Sequence, residues 1–214
     1  MVPEGIWFDQ RIERLINDFA ATLVLTKSTR SGGPEPFELL PHARRAIVNL
    51  LCWKRADGTR VYRRGYWSMA RKQAKTQNVA FIALFELLFT PELSPEIYSA
   101  ATDTDQASMI YTAARDMIRG TEWDAEHGGP LRIVEYKKMI LNTANGGLMK
   151  ALSAEGKSKH GSNPSTVLFD ELHVWGPEHQ ELFDALTTGS STRRQPLQLS
   201  ITTAGSEPES ICVS

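Results

Sequence analysis

The chain has 214 residues, 41% of them hydrophobic and 23% charged, with a formal net charge of −1. These values are those of an ordinary soluble protein able to bury a full core as one domain, and they exclude an intrinsically disordered chain. Cys52 and Cys212 are the only cysteines and lie far apart, which excludes a disulfide framework and suggests a reducing compartment.

Met1-Val2-Pro3-Glu4 leads straight into a charged amphipathic stretch, so no cleavable signal is expected at the N-terminus. Ile12, Leu15, Ile16, Phe19 and Leu23 follow helical spacing and predict an opening helix. Thr29 to Pro36 is a Ser/Gly/Pro-rich connector, and a second helix is expected near Pro41, burying Ala46, Ile47, Leu50 and Leu51. Ala56-Asp57-Gly58-Thr59 reads as a turn, and Arg60 to Met69 as a strand. That strand delivers residues 70–75 as a loop, followed by a helix over Thr76 to Leu88. The most apolar run, Val79 to Phe89, is too short for a bilayer and contains Glu86, so it reads as buried helix and no membrane is expected.

Further along, a strand at Glu96 to Ala101 meets the helix-capping cluster Thr102-Asp103-Thr104-Asp105. The capped helix buries Ile110, Ala113, Ala114 and Met117. Arg132 to Ala154 reads as two or three short strands with a turn at Asn145-Gly146-Gly147. Then come the apolar run Thr166-Val167-Leu168-Phe169, which ends in Asp170-Glu171, a helix carrying Leu182, Phe183 and Leu186, and a last strand, Leu197 to Thr202. Strands alternating with helices predict an α/β fold with a mostly parallel sheet and helices on both faces. In such sheets ligands sit at the carboxyl ends of strands. Each candidate motif falls at such an end.

Charge is distributed unevenly. Residues 44–75 hold ten basic side chains against the single acid Asp57, a local charge of +9 that leaves −10 for the remainder. A solvated face beside a phosphate site and direct contact with a nucleic-acid backbone both fit that pattern.

The chemistry concentrates in two places. Ala70-Arg71-Lys72-Gln73-Ala74-Lys75-Thr76 offers an ammonium for β/γ-phosphates and a hydroxyl for a magnesium ion. It lacks the glycines of a regular phosphate loop at 69 and 74, and alone reads as a basic helix start on the surface; the carboxylate strand is what tips it to a phosphate loop. Asp170-Glu171, at the end of an apolar strand, offers one carboxylate for magnesium and one to polarise an attacking water, although a helix-capping pair is the alternative. Thr202-Thr203-Ala204-Gly205 closes the last strand; alone it reads as an ordinary strand-end turn, but beside the other two motifs it fits a third site element that feels the γ-phosphate. His173 and His179 have no third ligand at metal spacing and read as structural. Trp53, Trp67 and Trp175 read as core or sheet-edge packing. Together the motifs point to a magnesium-dependent ATPase.

With these residues in place, the chain resembles the motor domain of the large terminase subunit, the DNA-packaging ATPase of tailed bacteriophages. The resemblance runs through Pro36-Phe37-Glu38-Leu39-Leu40-Pro41, Asn49-Leu50 with Trp53, Asp57-Gly58-Thr59-Arg60 and Ala70-Arg71-Lys72. It continues through Ala100-Ala101-Thr102-Asp103 with Gln106-Ala107, Gly161-Ser162-Asn163-Pro164, Asp170-Glu171-Leu172-His173 and Thr202-Thr203-Ala204-Gly205.

It implies a P-loop ATPase core of the additional-strand, RecA-like class over residues 36–214, after an N-terminal helix and connector at 1–35. The family's coupling strand would lie between the loop strand and the carboxylate strand. By resemblance, Lys75 and Thr76 would bind phosphate and magnesium, Arg71 would sense the γ-phosphate, Asp170 would hold magnesium and Glu171 would activate water. Thr202 and Thr203 would couple hydrolysis to movement of double-stranded DNA into a procapsid. The implied partners are DNA, the portal protein, the small terminase subunit and further copies of the chain, in the cytoplasm of a bacterial host.

The sequence departs from the family at three points. Ala74 replaces a glycine and is expected at φ < 0, where its methyl costs little, so that the site is weakened but functional. His42 and Ala43 stand where the family has Trp-Gln, whose glutamine reads adenine. The C-terminal nuclease domain is absent, so the chain reads as a truncated piece or a decayed prophage gene, without nuclease activity. Two rivals remain. One is a helicase-like ATPase, since Asp-Glu-Leu-His also satisfies Asp-Glu-x-His, although the second domain such helicases need is not encoded. The other is a hydrolysis-dead relic that acts only by binding.

Overall fold

The computed structural model describes residues 3–26, 33–70, 73–153 and 163–203. Asp9 caps the first helix, accepting the Arg11 N–H, and α1 (Gln10–Ala21) buries Ile16, Phe19 and Ala20. Before it, β1 (Ile6–Phe8) pairs antiparallel with β4 (Trp53–Arg55), which follows α2 (Pro41–Cys52). Proline stands at the start of α2, where its missing N–H costs nothing. A two-stranded ribbon, β2 (Val24–Leu25) with β3 (Glu35–Pro36), links the two helices. The four short strands β1 to β4 were not legible from periodicity, because two or three residues carry no alternation to read.

The main sheet holds β5 (Arg64–Ser68), β6 (Glu96–Ala101), β7 (Leu131–Val134), β8 (Met139–Asn142), β9 (Leu148–Ser153), β10 (Thr166–Asp170) and β11 (Leu197–Thr202). Their order is β5-β11-β10-β6-β9-β8-β7. The first five of these run parallel, and β8 and β7 extend the sheet antiparallel. The expected mostly parallel α/β sheet is therefore present, with β11 between the loop strand β5 and the carboxylate strand β10.

The strand β10 is buried along its whole length, and its alternation divides the core. Leu168 joins one cluster with α1, α2, α3 (Lys75–Phe89) and α4 (Thr104–Ile118). Val167 and Phe169 face the other side, against Trp175 and the α5 (Gln180–Gly189) residues Leu182 and Leu186. In α3 every residue from Asn78 to Leu87 is buried, so it is a core helix, apolar on all sides apart from Asn78 and Glu86. Phe19 of α1 packs edge-on to Phe89 and Trp123 and against Phe81 and Phe85, which ties the N-terminal helix into the same core.

Two details differ from the sequence reading. The strand expected over Arg60 to Met69 is shorter: the backbone at Thr59 to Val61 pairs with Trp53 to Arg55 instead, and the Arg60 side chain turns inward to donate 2.7 Å from Nη2 to Glu86 Oε2 inside the core. The basic stretch 44–75 is accordingly not one solvated face: Arg60 is 3% exposed, and Arg44 is engaged by Glu13 and Asn17.

Candidate active site

The parallel strands deliver their carboxyl ends to one edge of the sheet. There β5 runs on to Met69, whose N–H still bonds the Thr202 carbonyl at 3.0 Å, and Ala70 follows, exposed. Arg71 and Lys72 lie outside the described residues, as do Ala204, Gly205, Gly161 and Ser162. The chain resumes at exposed Gln73 and at Ala74, which caps α3 in the left-handed region at φ 55°, ψ 30°. The expectation of φ < 0 at this position is overturned: the turn into α3 needs a left-handed residue, and alanine occupies it. Among the described residues no side chain caps α3, and its first turn carries no acid. Its leading N–H groups and positive dipole end therefore face the site without a competing carboxylate from the helix itself.

From that helix start Lys75 reaches across to the end of β10. Its ammonium lies 3.4 Å from Asp170 Oδ1 and donates a short hydrogen bond to Glu171 Oε1. Its side chain is only 14% exposed, so the reading of a basic helix start in open solvent does not hold. Thr76 follows it in the first turn of α3.

Asp170 is nearly buried, its carbonyl accepting the Trp175 Nε1–H at 3.0 Å and its Oδ1 accepting the Glu171 N–H at 3.0 Å. Burial pushes its carboxyl above the ordinary range; Lys75 works against that shift, while the Glu171 charge adds to it. Burial also pushes Glu171 up, but the Lys75 hydrogen bond and charge, the Thr203 N–H and His173 together bring it below its ordinary value. Glu171 is thus held ionised as an acceptor. The capping-pair alternative fails as well: Glu171 sits at φ 48° before a short 3-10 turn, makes no side-chain cap, and lies well before α5.

The end of β11 completes the edge. Glu171 Oε2 accepts both the N–H and the hydroxyl of Thr203 at 3.3 Å. His173 Nδ1 lies 2.8 Å from Thr202 Oγ1 and 3.2 Å from Glu171 Oε2. The single Thr202 hydroxyl proton goes to the Thr203 carbonyl, so Nδ1 carries the proton and bridges to both oxygens. Reading His173 as structural missed this bridge. The signal that could have found it was its place two residues after Glu171. His179 is structural, accepting the Gly176 N–H at 3.1 Å and resting on Trp175.

Among the described residues no group of three or more His, Cys, Asp or Glu side chains gathers as a metal centre. A magnesium ion held by one carboxylate, one hydroxyl and substrate phosphates needs no such cage. The donor set fits that group: open helix N–H groups and Lys75 for phosphate, Thr76 and Asp170 for the cation. No helix among the described residues is long and apolar enough to cross a membrane.

A strand inserted between the loop strand and the carboxylate strand, with a lysine at a helix start facing two carboxylates, defines a P-loop NTPase core of the additional-strand class. Residues 42–214 match the family described as "Terminase large subunit, ATPase domain", and the chain belongs to it. It is 33% identical over 139 residues to a terminase large subunit of Enterobacteria phage HK97, covering 64% of this chain and 27% of that protein. The crystal structure of the HK97 large terminase superposes with a TM-score of 0.75 at 24% identity, over 94% of this chain and 39% of that one. The ATPase domain of the Thermus phage P74-26 large terminase gives 0.53 at 17% identity, over 68% and 61%. The UvsW helicase from bacteriophage T4, at 0.54 and 10% identity over 92% and 64%, shares the fold. The chain thus spans about a quarter of the curated relative's length.

Proposed function

We propose that this chain binds magnesium-ATP at the edge formed by α3, β10 and β11 and hydrolyses it to drive double-stranded DNA into a procapsid. Residues 36–214 would form the ATPase unit, working with the portal protein, the small terminase subunit and further copies of itself. The observation that carries the reading is Lys75, placed at the start of α3 and bonded to both Asp170 and Glu171.

The phosphates would compete with those two carboxylates for the Lys75 ammonium while the N–H groups at the start of α3 receive their oxygens. Thr76 and Asp170 would hold magnesium, which supplies charge neutralisation of the phosphates when bound. Glu171, kept ionised, would orient a water and accept its proton. Arg71 would reach the γ-phosphate. Glu171 also bonds Thr203 and, through His173, is linked to Thr202. Drawing Lys75 away would therefore change what holds the end of β11, and this supports a coupling role for the threonine pair.

Glu171→Gln tests the assignment. It should keep ATP binding and lose at least about 100-fold in hydrolysis, because the amide conserves shape but accepts no proton. Hydrolysis equal to that of the parent would show that the base is misassigned.

A further inference from the structure

Two cations meet at the far end of the core from the nucleotide edge. Lys54 of β4 and Arg60 stand directly opposite one another across a tight turn, as an antiparallel bridge. The Arg55 N–H bonds the Thr59 carbonyl at 2.8 Å, and the Val61 N–H bonds the Trp53 carbonyl at 2.9 Å. These bonds flank the pair rather than join it, the arrangement in which opposite side chains share a face and come closest. Like charges placed so repel each other unless a negative charge lies between them.

Both side chains line a cavity of about 30 Å³, together with Glu86, Gln195 and the apolar Leu51 and Phe85. Glu86 stands roughly 16 Å along α3 from Lys75, at 1.5 Å of rise per residue, so this cavity is separate from the nucleotide edge. Arg60 is nearly buried, and Glu86 takes only its Nη2. Among the described residues its Nε and Nη1 have no hydrogen-bond partner. Gln195 Oε1 is engaged by the Arg60 backbone N–H at 3.2 Å. Burial, followed by the Arg60 charge, pulls the Lys54 ammonium below its ordinary range, against the opposing pull of Glu86 and Asp9.

Guanidinium and ammonium groups only donate. A water among them would turn its own hydrogens away from three donors, and it brings no charge to a place that holds two cations and one carboxylate. A monovalent anion accepts from all three and brings that balance to zero. A cavity of this size has room for one or two waters, which suits a chloride ion and is too small for phosphate. We infer that Lys54 and Arg60 hold one small monovalent anion of the size of chloride. It joins the turn after β4 to the end of α3, and so ties the N-terminal layer to the core.

The test follows thermal unfolding of the full chain as chloride replaces gluconate at constant ionic strength, gluconate being too large to enter. The parent's Tm should rise by roughly 3–6 °C on reaching about 150 mM chloride, as for a site of about 10 mM affinity. Lys54→Met should lose most of that rise. Arg60→Met combined with Glu86→Leu, which removes the unpartnered donors along with their carboxylate, should lose all of it. Should that double variant not fold, Lys54→Met, at a half-buried position, carries the comparison. In crystals, bromide should give an anomalous-scattering peak within hydrogen-bond reach of Arg60 Nε and Lys54 Nζ. A parent Tm indifferent to the exchange would overturn the inference by leaving the cavity to water. A chloride response undiminished in the variants would overturn it too, by placing the effect on the general surface. A bromide peak without a chloride-dependent Tm would mean an adventitious ion only, and would equally overturn it.

Discussion

Ala74→Gly is the perturbation that most directly weighs the cost of the loop. Alanine at φ 55°, ψ 30° places its β-carbon against the following carbonyl, a strain of about 1–2 kcal/mol. Glycine relieves that strain but has more freedom to lose on folding, which costs about 0.5–1 kcal/mol. The balance favours glycine by roughly 0.5–1 kcal/mol, a rise in Tm of about 1–4 °C for a chain of this size. Removing the methyl should also let the backbone approach phosphate more closely, tightening ATP by up to about ten-fold. Thermal unfolding and equilibrium ATP titration of the parent, Ala74→Gly and Ala74→Val read both effects. Valine, branched at the β-carbon, should be the worst of the three. A lower Tm for Ala74→Gly, or a valine variant as stable as the parent, would refute the argument that position 74 is strained. A parent with no detectable ATP binding, fully rescued by glycine, would mark the chain as an inactivated relic.

Arg60→Met should cost about 3–5 kcal/mol in urea unfolding, because among the described residues it leaves the buried Glu86 with the Thr166 hydroxyl as its remaining hydrogen bond. Adding Glu86→Leu should recover most of that loss. Burial, followed by the Glu13 charge, pushes the Cys52 thiol up to about 12, so in a Cys212→Ser background a thiol reagent at pH 8 should label the protein only after denaturation. Asp170→Asn should abolish hydrolysis yet equal or exceed the parent's stability at pH 7, since it deletes a charge whose burial is unfavourable. The folded pKa of Asp170 is raised, so the parent regains stability as pH falls through the carboxylate range, and the variant's advantage should shrink there. Glu171, with a lowered folded pKa, loses its contribution as pH falls in the parent and in the variant, a loss separate in sign from the Asp170 effect. A gap that widens at acid pH would count against the burial argument.

What could be read from sequence divides along physical lines. The strands Glu96–Ala101 and Leu197–Thr202 were legible to the residue and the carboxylate strand from its run of Thr166 to Phe169, because each shows a buried apolar run or a strict alternation that ends in polar groups at the sheet edge. The helix after the loop was legible for the same reason, its apolar length setting it in the core. The left-handed turn at Ala74 was not, because a backbone angle leaves no trace in a side chain when the residue is alanine rather than glycine. Nor was the inward turn of Arg60, since a charged side chain reads as solvated until its partner is known, and Glu86 lies 26 positions away on another element. His173 shows the remaining limit. Its role comes from standing between Glu171 and Thr202, at the tips of β10 and β11, two strands distant in sequence and paired only in the folded sheet. Single-strand patterns report which residues are buried. Which tips meet is decided by strand order, and here the coupling strand lying directly beside the carboxylate strand turns two separate motifs into one hydrogen-bonded site.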